Sequence, residues 1–167
     1  QDCCARSRVL VQRSVFDRFL DLFIESSRAW KVGDPMAADT AMGPLVTAGH
    51  LAAVRSYSDG LDTVFTGEAP TGPGYWHPVM IATPAYDAVV CHEEIFGPVL
   101  CVQAFSDADL QAVANEANRS IYGLSGSVWT QDISVAHRMA ALIDAGQVSI
   151  NCHAAVDPAI PFGGNRQ

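Results

Sequence analysis

Apolar positions recur along the chain with two alternating periods, and the alternation predicts a series of strands and helices. Arg8–Gln12 reads as a short strand. After Ser14, a candidate N-cap, Val15, Phe16, Phe19, Leu20, Phe23 and Ile24 fall at helical spacing, predicting a helix to about Trp30. Gly33-Asp34-Pro35 ends it, and Asp39 to Pro44 reads as loop. Thr47 is placed to cap a second helix carrying Leu51, Val54 and Tyr57, closed by Asp59-Gly60. Further strands are expected at Asp62–Thr66, Tyr75–Ala82, Pro98–Phe105, Leu124–Trp129 and Gln147–Cys152. Glu68 to Gly74 is a surface loop. Ser106, Asp107 and Asp109 open a helix running to about Asn118, and Ile133–Ala145 forms another. Such alternation predicts an α/β layer fold with a mostly parallel sheet.

Composition narrows the picture. The 167 residues are 49% hydrophobic and 17% charged, which excludes disorder and suggests that part of the exterior is covered. A net charge of −8 argues against nucleic acid as a partner. No apolar run approaches a membrane span, so no membrane partner is expected. Five cysteines, an odd number with Cys3 and Cys4 adjacent, point to a reducing compartment, and the cytoplasm is the expected location.

Three stretches invite chemistry. Cys3 and Cys4, followed by Arg6 and Arg8, read either as a loop-borne nucleophile favoured by nearby cations or as incidental thiols. His92-Glu93-Glu94-Ile95-Phe96-Gly97-Pro98 leads into a buried strand, where loops often carry function; the bland alternative is a helix end with solvated acids. Asn151 to Gly164 reads equally as a pocket wall, with Phe162 as apolar surface, or as a connector. No metal site is expected: Cys91-His92 and Cys152-His153 lack ligand spacing, and adjacent side chains on regular elements diverge.

Taken in order, QDCCARSR, GDPMAADTAMGPLV, HEEIFGPVL, ANRSIYGLSGSVWT, VSINC and PFGG closely resemble the aldehyde dehydrogenase superfamily over essentially the whole chain. The resemblance implies a three-layer αβα catalytic domain spanning 1–167, truncated at both ends, with the nucleotide-binding domain absent. It implies Cys3 as nucleophile, matching the family's GQxC motif, with Cys4 as a neighbour that does not attack. An aldehyde would form a thiohemiacetal on Cys3, hydride would pass to NAD or NADP, and water would release a carboxylic acid. The backbone N–H at the nucleophile, together with an asparagine, would form the oxyanion hole. Glu94 would bind the nicotinamide ribose and Phe96 would pack near the nicotinamide. Phe162, Ala155 and Val156 would line the aldehyde tunnel, and Asn151 would support the loop beneath Cys3.

The chain departs from the family where many members have a glutamine and, three residues later, a cofactor-touching lysine; here stand His50 and Ala53. The general-base glutamate and the oxyanion asparagine are expected outside this chain. The isolated piece is therefore expected to be inactive, and its parent a homo-oligomer, dimer or tetramer, acting on a small-molecule aldehyde. The alternatives are a coenzyme-A-acylating semialdehyde dehydrogenase, which the EEIFGP segment disfavours, and a non-catalytic structural fragment.

Overall fold

A computed structural model describes residues 1–106, 109–153 and 156–166. The chain divides into two compact units, one of Gln1 with Ser7–Phe105 and one of Asp2–Arg6 with Ser106–Gln167.

The first unit is built on a four-stranded sheet of β1 (Arg8–Gln12), β2 (Thr63–Thr66), β3 (Met80–Ala82) and β4 (Val99–Phe105), in the order β1-β4-β3-β2. β4 pairs in parallel with both β1 and β3, and β2 adds antiparallel at the edge. As the central strand β4 is covered on both faces, which is why its sequence VLCVQAF is almost continuously apolar. The period of two sorts its side chains between helices. Leu100, Val102 and Ala104 join Val11 and Ile81 under α1 (Phe16–Arg28), whose Phe16, Phe19, Leu20, Phe23 and Ile24 form one apolar stripe. Val99 and Met80 face the other way, toward Leu45, Ile95 and the Val54 of α2 (Ala48–Ser58). The two helices thus cover opposite faces, giving the αβα layering.

The second unit holds β5 (Ser125–Val128), α4 (Ile133–Leu142) and β6 (Gln147–Ile150), a parallel pair joined through its helix, with α3 (Leu110–Ala117) alongside. Ala114, Val128 and Met139 centre its core. Both helices begin on an aspartate. Asp109 accepts from the Gln111 N–H at 2.9 Å, and Asp132 from Ser134 and Val135 at 2.8 and 3.1 Å. Asp107, expected in the α3 start, lies outside the described residues.

The expected elements are found, β1 with the bounds expected and most of the others shorter. Thr47 caps α2 by accepting from the His50 N–H at 3.1 Å. Ser14 caps nothing; a 3₁₀ turn at Arg13–Val15 leads into α1, which starts from Val15 without a side-chain cap. Only Met80–Ala82 of the expected Tyr75–Ala82 strand is in the sheet. Pro78 has no N–H to give, and the Tyr75 and Val79 carbonyls accept instead from the N–H groups of Leu45 and Gly67. α4 stops at Leu142, not Ala145, because the Asn118 side chain takes over there. Its Nδ2 donates to the Leu142 carbonyl at 2.9 Å and its Oδ1 accepts from the Asp144 N–H at 2.8 Å. Among the described residues no helix is long and apolar enough to cross a membrane.

Candidate active site

The second unit presents Cys3 on a β-turn. Asp2 opens the turn, a position aspartate favours, and its carbonyl accepts from the Ala5 N–H at 2.9 Å. Cys3 and Cys4 are the two central residues; Cys3 is exposed and Cys4 is buried. The turn is pinned by Arg6. Its Nε donates to Ser127 Oγ at 2.8 Å, Nη1 to Ser125 Oγ at 2.6 Å and to the Cys4 carbonyl, and Nη2 to the Gly126 carbonyl at 3.1 Å. The guanidinium fork is therefore spent on β5 and on the turn's own backbone. Partial burial of Arg6 pulls its pKa below the ordinary value.

The Cys3 thiol itself is pushed up, first by hydrogen bonding with the Cys4 thiol at 3.9 Å and further by the Asp2 carboxylate, which its Sγ meets at 3.6 Å. The expectation that Arg6 and Arg8 act as cations favouring the thiolate is thus met by a different arrangement. Arg6 fixes the backbone, and Arg8 lies in the first unit, donating to the Cys91 carbonyl at 3.1 Å. Cys101, also in the first unit, is inert by burial, its pKa pushed up to about 12.

The first unit carries Glu94 and Phe96. Between them Ile95 is buried in the core with Leu45, Val54 and Val99, so its two neighbours are turned outward and exposed. Gly97 allows this close seating, since a Cβ there would lie 2.6 Å from Val54 Cγ2. Phe96 takes φ = 55°, a left-handed conformation rare for a bulky residue. His50 holds it there. A carbonyl can only accept, so His50 Nε2–H donates to the Phe96 carbonyl at 2.8 Å. The two rings lie 6.2 Å apart between centroids. His50 Nδ1, left as the ring's acceptor, is buried without a partner. An exposed carboxylate beside an exposed aromatic face is the hydrogen-bond-accepting and stacking pair that a ribose with a flat ring attached would need, whereas the buried His50 Nδ1 is closed to any ligand.

Val156 and Phe162 are brought together, with Ile160 and Val148, around a cavity of about 230 Å³ in the second unit. The glycines behind this tail are required. A Cβ on Gly146 would fall 1.7 Å from the Gly163 carbonyl oxygen. Arg166 locks the tail, donating from Nε to Asp144 at 2.5 Å and from Nη1 to the Asn118 and Ser120 carbonyls at 2.7 and 2.5 Å. Ala155 lies outside the described residues. Asn151, at φ = 51°, clamps Thr130, accepting from its N–H at 2.9 Å and donating to its carbonyl at 2.8 Å.

The sequence marks Arg6 only as a nearby cation and His50 only as a departure from the family pattern; the part each plays in fixing the backbone was not legible there. Arg6 binds hydroxyls 119 and 121 positions away, which no local pattern reveals.

The whole chain, residues 1–167, matches the model of the aldehyde dehydrogenase family. It is 37% identical to 4-trimethylaminobutyraldehyde dehydrogenase of Rattus norvegicus and 38% identical to betaine aldehyde dehydrogenase of Rhizobium johnstonii. Each match covers 100% of this chain but 36% of the relative. The solved NAD+ complex of an aldehyde dehydrogenase from Bacillus cereus superposes with a TM-score of 0.91 at 35% identity, over 99% of this chain and 35% of that one. The chain thus spans about a third of its relatives' length, and across that span it belongs to the aldehyde dehydrogenase family.

Proposed function

We propose that this chain carries the nucleophile and the nicotinamide-side contacts of an NAD(P)-dependent aldehyde dehydrogenase, acting within a longer polypeptide. The observation that carries the reading is an exposed cysteine on a turn pinned by Arg6. The separately anchored segment that offers Glu94 and Phe96 supports it. The Cys3 thiolate adds to the aldehyde carbonyl, and the new C–S bond gives a thiohemiacetal. The carbonyl oxygen gathers charge in that step, and the backbone N–H at Cys3 is this chain's donor to it. NAD or NADP, when bound, supplies the hydride acceptor. Loss of hydride from the thiohemiacetal carbon leaves a thioester on Cys3, which water cleaves to a carboxylic acid and the free thiol.

Glu94 accepts from ribose hydroxyls and Phe96 flanks the ring; both orient, and neither moves a proton. Val156 and Phe162, with Ala155, wall the aldehyde's path; Asn151, expected beneath the Cys3 loop, instead ties the end of β6 to Thr130 after β5. The general base and the oxyanion asparagine are assigned to the remainder of the polypeptide. Exposed Trp129 and Ile133 in the second unit, and separately Val89 in the first, support coverage by the rest of that larger, homo-oligomeric protein. The 167-residue chain alone is accordingly expected to form no NADH.

The test uses the full-length protein, an aldehyde and NAD+ or NADP+, with and without coenzyme A. Acid and reduced cofactor formed without coenzyme A, and lost in Cys3→Ala with cofactor binding kept, are the expected results. Turnover only with coenzyme A would move the protein to the acylating branch. Undiminished turnover in Cys3→Ala would overturn the reading.

A further inference from the structure

Adjacent side chains diverge on a helix or strand, but Cys3 and Cys4 sit in the middle of a β-turn, where they converge. Their sulfurs are 3.9 Å apart, and Cys3 Sγ is 3.6 Å from Asp2 Oδ1. One ligand atom from each of the three residues lies within 4.8 Å of the other two. Tetrahedral zinc has Zn–S bonds of about 2.3 Å and Zn–O bonds of roughly 2.1 Å, which separates two sulfurs by about 3.8 Å and sulfur from oxygen by about 3.6 Å. Two of the three edges are already close to these values, and the third, from the Asp2 carboxylate to Cys4 Sγ, is at most 4.8 Å, so a rotation of the exposed Asp2 side chain closes the set.

We propose that Asp2, Cys3 and Cys4 form a chelating site for a thiophilic divalent cation, zinc or cadmium, which occupies the Cys3 sulfur and halts turnover reversibly. The binding half stands on this geometry alone; the inhibition half rests on Cys3 being the nucleophile. Binding a divalent cation releases the two thiol protons, leaving two thiolates and one carboxylate around it and a net charge of −1. The Arg6 guanidinium, bonded to the Cys4 carbonyl, stands beside that charge. Thiolates and a carboxylate are the ligands zinc and cadmium prefer, whereas magnesium and calcium favour all-oxygen sites. The fourth position stays open to water, so the ion enters and leaves without unfolding the turn. A sulfur bonded to the ion is no longer free to attack a carbonyl.

The experiment titrates the reduced, metal-free protein with cadmium chloride and follows the thiolate-to-cadmium charge-transfer absorbance in the ultraviolet, with zinc chloride as competitor. One cadmium per chain is expected at this turn, displaced by zinc. Cys4→Ser is expected to weaken binding by more than the 10–100-fold that even supporting residues of a metal site cost. Asp2→Asn, an exposed change that leaves the core untouched, is expected to weaken it in the same direction. No charge-transfer band, or an identical titration in both variants, would overturn the site and leave the nucleophile reading standing. In turnover assays of the full-length protein zinc should inhibit, a chelator should restore activity, and Cys4→Ser should resist. Binding without inhibition would contradict the role of Cys3 and leave the metal site standing.

Discussion

The turn at Asp2–Ala5 and the segment His92–Pro98 both present the side chains of the proposed site to solvent, but they are held by different means. The segment is anchored apolarly, with Ile95 sunk among Leu45, Val54 and Val99, and Gly97 close against Val54. A bond from His50 to the Phe96 carbonyl sets the last backbone angle, and His92 Nε2 donates to the Tyr86 carbonyl at 2.9 Å where the segment begins. The cysteine turn is pinned by a single guanidinium that reaches two serine hydroxyls and two carbonyls. Apolar anchoring ties side-chain placement to the stability of the unit, because the same contacts serve both. A polar pin separates them: losing it frees the turn while leaving the core of Ala114, Val128 and Met139 intact. The proposed nucleophile and the proposed cofactor contacts are therefore expected to fail differently under mutation.

Removing the pin should show the largest effect on turnover. Arg6→Ala in the full-length protein is expected to lower kcat by about 100-fold, the cost of misplacing a reacting group by roughly 1 Å. Tm should fall as well, since four hydrogen bonds go with the guanidinium, while the Ala114, Val128 and Met139 core keeps the unit folded. Arg6→Lys should rescue poorly, because an ammonium cannot span the four acceptors that the fork reaches. A large fall in Tm with unchanged kcat would reverse the comparison.

Gly97→Ala should act the other way, through stability. A methyl group there meets both Val54 Cγ atoms, at 2.6 and 2.7 Å, so overpacking of about 1–3 kcal/mol is expected, read as a lowered urea midpoint. His50→Ala is a gentler break of the same segment. It removes one hydrogen bond, about 1 kcal/mol, and frees Phe96 from φ = 55°. KM for the cofactor should rise with kcat for bound substrate less affected, and His50→Gln, which keeps a donor, should recover most of the loss.

The smallest expected effect is a pH dependence confined to the first unit. His77 is buried, donates from Nδ1 to the Pro78 carbonyl at 2.8 Å, and meets Ser58 Oγ with Nε2 at 2.9 Å. Burial pushes its pKa below the ordinary histidine value of about 6.5. Unfolding then takes up a proton in the interval between the two values. Stability is full above about pH 6.5 and falls as pH drops below it. The urea midpoint should decline from about pH 7.5 to about pH 5.5, and His77→Gln should flatten that slope.

Much of this organisation was legible from residues alone. The α1 stripe, the Thr47 cap and the buried β4 follow from periodicity and capping chemistry, which are local. Cys3, Glu94 and Phe96 were legible as candidates through their motifs, and Ile95 between two outward neighbours explains why those two are exposed. What stayed hidden is what distant segments decide. The end of α4 depends on Asn118, the loss of Tyr75–Val79 from the sheet on Leu45 and Gly67, and the turn on Ser125 and Ser127. The closeness of the Cys3 and Cys4 sulfurs was hidden as well, because it depends on the turn that Asp2 and Ala5 close and not on residue type.

The most direct test of Cys3 as the nucleophile is its alkylation. The full-length protein is treated with limiting iodoacetamide, and peptide mapping is followed alongside residual turnover. Cys3 should be labelled first, since it is exposed whereas Cys4, Cys91 and Cys101 are buried. Activity should fall in step with its labelling, and the rate should keep rising with pH past about 8.5, the ordinary thiol value, because Cys4 and Asp2 hold the thiol above it. Activity loss that tracks Cys4, Cys91, Cys101 or Cys152 instead, or full turnover with Cys3 alkylated, would contradict the account.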